Sequence, residues 1–244
     1  MYHSLNFEFE NINTTPGRTL TYNTLSDFFL VPTSRPTINP PDLKSTAVDV
    51  PGANGTLDLT RALVPYPVFS NRQGSIEFAV LNDKMEWTEL YSKIMEVVHG
   101  RKMRMWLEDD PNWYYEGTWT VNEWRSNSDG TWSNITLNYD VFPYKIKKTQ
   151  TVLQYSMASS TTAYTFGIPH SDIGMMPVSP SIQVTRQNVK ISKSTKPTYE
   201  RTFDRAGTYT DPAFVLWSAD EYSPAAFGAQ GGGDIYFRFN EGSL

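Results

Sequence analysis

The chain has 244 residues, with 21 Lys and Arg against 26 Asp and Glu, a formal charge of −5 at neutral pH. That length allows one large or two ordinary domains with a proper core. The acidic balance argues against a nucleic-acid-binding surface as the main role, because phosphate contacts need clustered Lys and Arg. It remains compatible with a channel that nucleic acid passes without adhering. There is no cysteine, which excludes disulfides, thiolate metal sites and a Cys nucleophile. No window approaches the ~20 apolar residues of a membrane span. The start, MYHSLNFEFE, lacks the basic lead and apolar run of a signal peptide. The sequons at Asn13, Asn54 and Asn134 read as chance matches.

Residues 5–12 alternate, with Leu5, Phe7 and Phe9 on one face, and predict a strand. Thr15-Pro16-Gly17 marks a turn. Strands are expected at Leu20–Tyr22 and Phe28–Val31. The run Pro32–Pro41 holds four prolines and cannot be a central strand, since each Pro removes a ladder donor. It reads as an extended arm, of a kind that often lies on a neighbour. Val48–Val50 resumes a strand, residues 51–55 form a tight loop, and Leu57, Leu59 and Leu63 are expected to return to the core. Gly74–Leu81 alternates as a half-buried strand.

Asp83–Glu86 is a capping-box pattern. Trp87, Leu90, Tyr91, Ile94, Met95, Val97 and Val98 then recur at helical spacing. His99 falls in the last turn, where a cation is favoured, and Gly100 supplies a left-handed stop. Lys102–Leu107 and Trp113–Trp124 predict strands. A hairpin tip follows at Asp129-Gly130, and Trp132–Val141 returns with Ile135, Leu137, Tyr139 and Val141 on one face. The lysine-rich, acid-free stretch Pro143–Gln150 reads as a domain junction. Beyond it, expected strands at Thr151–Met157, Tyr164–Ile168, Ser181–Thr185, Val189–Ile191, Thr198–Phe203, Phe214–Trp217 and Asp234–Asn240 suggest a β-sandwich. Gly228–Gly233 reads as a flexible turn.

The search for chemistry returns bland readings. Asp109 and Asp110 with Glu116 and Glu123 could supply a glycosidase carboxylate pair, but adjacent acids before a Pro are usually solvated turn residues. His3, His99 and His170 do not stand at metal-ligand spacing. His170 beside Ser171 and Asp172 lacks the nucleophile elbow of a hydrolase. The Gly-rich run lacks the Lys and Ser/Thr of a phosphate loop. Trp106, Trp113, Tyr114, Tyr115, Trp119, Trp124 and Trp132 are too many for one face of a sheet. Some must face outward, as a sugar platform or a protein interface. No catalytic, cofactor-binding or metal-ligating set emerges, and no enzyme is expected.

Several segments, taken in order, carry a resemblance. They are DVPGANGTLDLTRAL (residues 49–63), Asn71-Arg72, the Trp87-x-x-Leu90-x-x-x-Ile94 helix ending His99-Gly100-Arg101, LEDDPNWYYEG (107–117), WRSNSDGTW (124–132) and DVFPYK (140–145). Over roughly residues 1–148 this resembles the distal tail protein (Dit) family of siphophages and prophages of Gram-positive bacteria. VSPSIQV (178–184) and FRFNEGSL (237–244) are similar to that family's second-domain entry and closing strand. The candidate motif and interface positions are Asp49, Pro51, Gly52, Gly55, Asp58, Arg72, His99, Gly100, Asp109, Asp110, Pro111, Tyr115, Trp124, Pro143 and Tyr144.

The resemblance implies a mainly β protein with one helix. Residues 1–148 would form an α+β ring-forming domain with a β-hairpin belt, and residues 149–244 a galectin-like β-sandwich. It implies a homo-hexameric ring at the virion tail tip, made in the host bacterial cytoplasm. Such a ring meets the tail tube protein and the tape-measure protein end on one side and the tail-associated hub or fibre protein on the other. DNA passes its central channel without specific binding, with no membrane and no cofactor involved. A receptor-binding protein or a host saccharide is a further possible partner. Tyr155, Tyr164, Tyr199, Trp217, Tyr222 and Tyr236 would supply stacking faces for a cell-wall sugar in the alternative, carbohydrate-binding reading. The Pro-rich arm and the aromatic hairpin are natural candidates for ring contacts. The chain departs from relatives in having no long C-terminal insertion, so an added carbohydrate-binding module is not expected. Its loop reads PGANG where many relatives carry a charged residue in place of Ala53 or Asn54.

Overall fold

The structure, a computed structural model, describes residues 3–10, 19–81, 87–126, 133–168, 174–195, 198–217 and 227–244. The turn at Thr15–Gly17, the capping box Asp83–Glu86, the hairpin tip at Asp129-Gly130, and Trp132, His170 and Tyr222 lie outside them. The chain divides into two compact units, one from Met1–Asp42 and Phe69–Ile146, the other from Leu43–Val68 and Lys147–Leu244.

The N-terminal elements are β1 (Leu5–Glu10), β2 (Thr19–Asn23), α1 (Thr24–Phe28) and β3 (Leu30–Pro32). A hairpin of β4 (Ala47–Asp49) and β5 (Thr56–Asp58) follows. After it come β6 (Arg72–Val80), α2 (Trp87–Val98), β7 (Arg101–Leu107), β8 (Trp113–Ser126), β9 (Ser133–Val141) and β10 (Lys145–Lys147).

The first unit is an antiparallel sheet in the order β2-β1-β7-β8-β9-β6-β3. Its core follows from period-2 alternation. Leu5 and Phe7, Met103 and Met105, and Ile135, Leu137 and Val141 all fall on the covered face. Leu90, Ile94, Val97 and Val98 of α2 are buried with them. Trp119 is fully buried, with Phe7 edge-on at 5.1 Å and Tyr139 at 5.4 Å. Each such large apolar side chain contributes on the order of 1.5–3 kcal/mol of burial energy. Gly100 closes α2 at φ +71° and donates its N–H to the Trp119 carbonyl at 2.8 Å.

Two local readings change. Phe28 ends a short helix instead of starting a strand. Asn23 Oδ1 accepts from the N–H groups of Leu25 and Ser26, an N-cap, and Phe29 stops the helix at φ +55°. The Pro-rich arm is bound to its own unit. Thr33 N–H donates to the Glu77 carbonyl, Asn39 N–H to the Tyr139 hydroxyl, and Arg35 pairs with Asp109 at 2.7 Å.

The second unit carries β11 (Thr151–Met157), β12 (Tyr164–Phe166), β13 (Ser181–Val184), β14 (Val189–Lys193), β15 (Tyr199–Phe203), β16 (Gly207–Thr210), β17 (Phe227–Gln230), β18 (Gly233–Phe239) and β19 (Gly242–Ser243). Two four-stranded sheets, β11-β18-β13-β16 and β12-β17-β14-β15, form a sandwich. Ile182, Val184, Ile191, Phe214, Phe227 and Phe237 fill the space between them. The Gly-rich run is mostly strand. Gly228 lies in β17, paired with Thr165 and Ser192, at a position where a Cβ would come 2.7 Å from Ser192 Oγ, and only Gly231 and Gly232 turn the chain into β18. In the segment Phe214–Trp217 only Leu216 makes a β-bridge, to Val178, and the segment is not a strand.

Candidate functional site

The motif residues separate into an exposed ribbon and a set of internal joints. The ribbon is the β4–β5 hairpin, paired Ala47↔Asp58, Val48↔Leu57 and Asp49↔Thr56. Its loop begins at Pro51, and Gly52 and Gly55 adopt φ +86° and +78°, conformations that suit glycine. Ala53 N–H donates to the Val50 carbonyl. Asp58 Oδ1 accepts from Thr60 N–H at 2.8 Å, and the Thr60 hydrogen bonds hold its carboxyl below the usual range.

The expected return of this segment to the core does not occur. Leu57, Leu59 and Leu63 are 54%, 39% and 97% exposed, and Leu43, Val48 and Val50 are exposed beside them. A two-stranded ribbon has no third layer of its own to cover an apolar face. Six exposed large apolar side chains within residues 43–63, three of them on the ribbon itself, exceed the scattered exposure normal for a surface.

Arg72 is the central joint of the first unit. It is 5% exposed, donates Nε to the Pro143 carbonyl at 2.6 Å and Nη1 to the Asn39 carbonyl at 3.1 Å, and lies 5.6 Å from the Tyr115 ring centroid. Burial lowers the Arg72 pKa and raises that of the Tyr115 phenol. Tyr144 is buried against Phe69 at 5.9 Å. The structure therefore brings Arg72, Tyr115 and Pro143 together. It adds Asn39, which no local sequence pattern marks, and Tyr139, whose alternation marks a face but not this partner.

The remaining motif positions also serve the fold. Asp109 pairs with Arg35, and Asp110 pairs with Lys145 at 2.8 Å, whose Nζ lies 5.1 Å from the Trp113 ring centroid. Pro111 is an exposed turn residue between them. Trp124 packs on Trp87 and Tyr91 of α2 at 5.9 and 5.3 Å. His99 directly follows α2, and its N–H donates to the Met95 carbonyl at 3.2 Å. Its Nδ1 accepts from Val121 N–H at 3.2 Å, which ties the helix end to β8.

The four weighed carboxylates are all engaged by cations: Asp109 and Asp110 as above, Glu116 by Lys102 at 2.7 Å, and Glu123 by Arg125 at 2.8 Å. Among the described residues no three His, Asp or Glu cluster to hold a metal ion. Of the aromatic residues named for sugar stacking, the five described ones each have a partner within the chain. Tyr199 is buried, Tyr155 stacks on Phe166 at 4.1 Å, the Tyr164 hydroxyl oxygen accepts from Ser159 N–H at 3.0 Å, and Trp217 packs on Tyr66 at 5.4 Å. Tyr236 lies under the Arg238 guanidinium.

No protein-family model and no curated protein matches the chain. Among solved structures, it is similar to the SPP1 Dit (gp 19.1) protein, described as a paradigm of the hub adsorption apparatus in phages that infect Gram-positive bacteria. The TM-score is 0.55 at 12% identity, over 88% of this chain and 94% of that one. The two proteins share a mainly β fold.

Proposed function

We propose that this chain is a structural component of a phage tail tip, a ring-forming adaptor with no active site. The observation that carries the reading is the shared fold with a hub adsorption protein over 88% of the chain. The exposed ribbon supports it. Val48 and Leu57 pair across the ribbon, Val50 and Leu63 are exposed in the same segment, and a neighbouring copy that seats the ribbon supplies them cover. A contact of that kind is head-to-tail, and when the rotation closes it makes a ring.

In this reading six copies form the ring. Asp49, Pro51, Gly52, Gly55 and Asp58 shape the clasp, and the tail tube, the tape-measure end and the hub or fibre protein are its partners. Residues 1–148 build the ring wall and residues 149–244 face outward. The protein acts in the virion tail tip after synthesis in the bacterial cytoplasm, and DNA crosses the ring without a specific contact. The burial of Tyr199 and the stacking of Tyr155 on Phe166 remove two of those faces, which argues against sugar binding as the main role.

Light scattering on the purified chain, with negative-stain images, tests this. A ring of six 27.8 kDa chains has a mass of about 167 kDa and six-fold symmetry in the images. A chain that stays monomeric with its own tail tube and hub proteins present sinks the reading.

A further inference from the structure

The second unit has one end built entirely from sheet-to-sheet connections. The turns β11–β12, β13–β14, β15–β16 and β17–β18 each pass from one sheet to the other. Because neighbouring strands are antiparallel, all four turns fall at the same end. Loops clustered at the end of a sandwich are where such folds place binding residues.

A groove of about 510 Å³ opens there, and every one of the four turns contributes to it: Ser160, then Thr185 to Asn188, then Arg205, then Gly231. Its charged lining consists of two guanidiniums, Arg186 and Arg205, with no Asp or Glu among the lining residues. In a chain of net charge −5, that is a local reversal of sign. Neither arginine has a carboxylate within ion-pair distance among the described residues. The nearby Asp234 accepts from Ser156 Oγ at 2.6 Å, and Asp204 precedes Arg205 in an exposed turn.

The glycine run gives Arg186 a defined seat. Gly231, Gly232 and Gly233 adopt φ of +123°, +75° and +80°. A Cβ at Gly232 would stand 3.3 Å from Arg186 Nη1, and one at Gly233 would stand 2.8 Å from Arg186 Cγ. The Arg186 side chain therefore lies along a backbone that only glycine leaves open. Thr185 Oγ1 accepts from Asp234 N–H at 2.8 Å, and Gln230 Nε2 donates to the Thr161 carbonyl at 3.2 Å, joining these turns to one another.

We propose that this end of the sandwich binds a phosphate-class oxyanion. The forked donors of two guanidiniums match the oxygens of such a group. The Ser160 hydroxyl and the Gln187 and Asn188 amides offer hydrogen bonds to hydroxyls beside it. The shared chemistry is a phosphate, and its source is either free in solution or a phosphodiester within a hydroxyl-bearing polymer.

Calorimetric titration of the full chain at physiological salt tests the site, with inorganic phosphate and a glycerol-phosphate oligomer as probes. The expected result is saturable binding of one phosphate group per chain. Arg186→Gln and Arg205→Gln each weaken it roughly tenfold, the scale of one lost charge-assisted hydrogen bond. Arg125→Gln, at an exposed ion pair elsewhere, leaves it unchanged. Arg186→Lys, which keeps the charge but loses the fork, falls between. Tighter binding of the oligomer identifies the polymer as source, and equal binding identifies free phosphate. Absence of saturable heat with both probes overturns the proposal, as does equal binding by wild type and both glutamine variants when their melting temperatures match.

Discussion

Arg72 donates its Nε to the carbonyl of Pro143 across 71 positions of sequence, at 2.6 Å and in a buried setting. The bond joins the first residue of β6 to the chain just beyond β9, and Nη1 fastens the Pro-rich arm through Asn39. Replacing Arg72 by Met leaves the buried Pro143 carbonyl and the part-buried Asn39 carbonyl short of a donor. The expected loss is about 2–4 kcal/mol, read from urea unfolding. Arg72→Lys recovers part of it, since one ammonium cannot reproduce both directions of the fork. A loss under about 0.5 kcal/mol, the range of an ordinary surface change, contradicts the joint.

Gly117 lets β8 and β9 approach. A Cβ there would lie 2.2 Å from the Asp140 carbonyl oxygen and 2.4 Å from Val141 Cα, both backbone atoms. Gly117→Ala must push the strands apart, at an expected cost of about 2–4 kcal/mol. Gly52→Ala makes a useful contrast. It meets open space at φ +86° and costs about 1 kcal/mol in backbone strain. Equal melting temperatures for the two variants would refute the steric account.

The ribbon prediction separates assembly from folding. Val48, Leu57 and Leu63 are already exposed in the single chain. The triple change to Ser therefore leaves the unfolding midpoint nearly unchanged, within about 0.5 kcal/mol per site. If the ribbon seats a neighbouring copy, the same variant shifts the light-scattering mass from the ring toward 27.8 kDa. An intact ring in the variant places the subunit contact elsewhere.

Two buried groups in the sandwich give stability opposite slopes with pH. Lys193 donates Nζ to the Val215 carbonyl at 2.6 Å, and burial lowers its amine from 10.5 to about 8. Between those values the unfolded chain binds more protons, so stability rises with pH. Burial, and then the Asp211 carboxylate that accepts its hydroxyl, push Tyr199 from 10.0 up to about 12. There the unfolded chain loses its proton first, and stability falls between pH 10 and 12. The urea midpoint of the sandwich should therefore peak near pH 10, after a rise on the order of 2–3 kcal/mol. Lys193→Met flattens the rising limb, and Tyr199→Phe flattens the falling one. A steady fall from pH 8 in the wild type would rule this out.

Much of the fold was legible because its signals are local. Alternation at Leu5, Phe7 and Phe9 and at Met103 and Met105, and helical spacing from Leu90 to Val98, each set a face within a few residues. The short helix Thr24–Phe28 was missed, although Asn23 is a capping residue type, because one turn leaves almost no period to read. Strands β16 and β17 were missed because their glycines look like loop. Gly228 and Gly207 make strand sense only beside the neighbours that crowd or pair with them.

The candidate site was legible in its residues but not in their roles. Arg72, Asp109, Asp110, Tyr115 and Pro143 stand out in the sequence, yet they are joints whose partners Asn39, Arg35, Tyr139 and Lys145 lie far away in it. Leu57, Leu59 and Leu63 read as core by composition. The sequence by itself determined where the long helix and most of the strands form, because backbone propensity and side-chain period act over a few residues. Only the tertiary structure decided which apolar residues are covered and which carboxylates are paired. Burial and ion pairing depend on a second or third layer, and distant segments of the chain supply it.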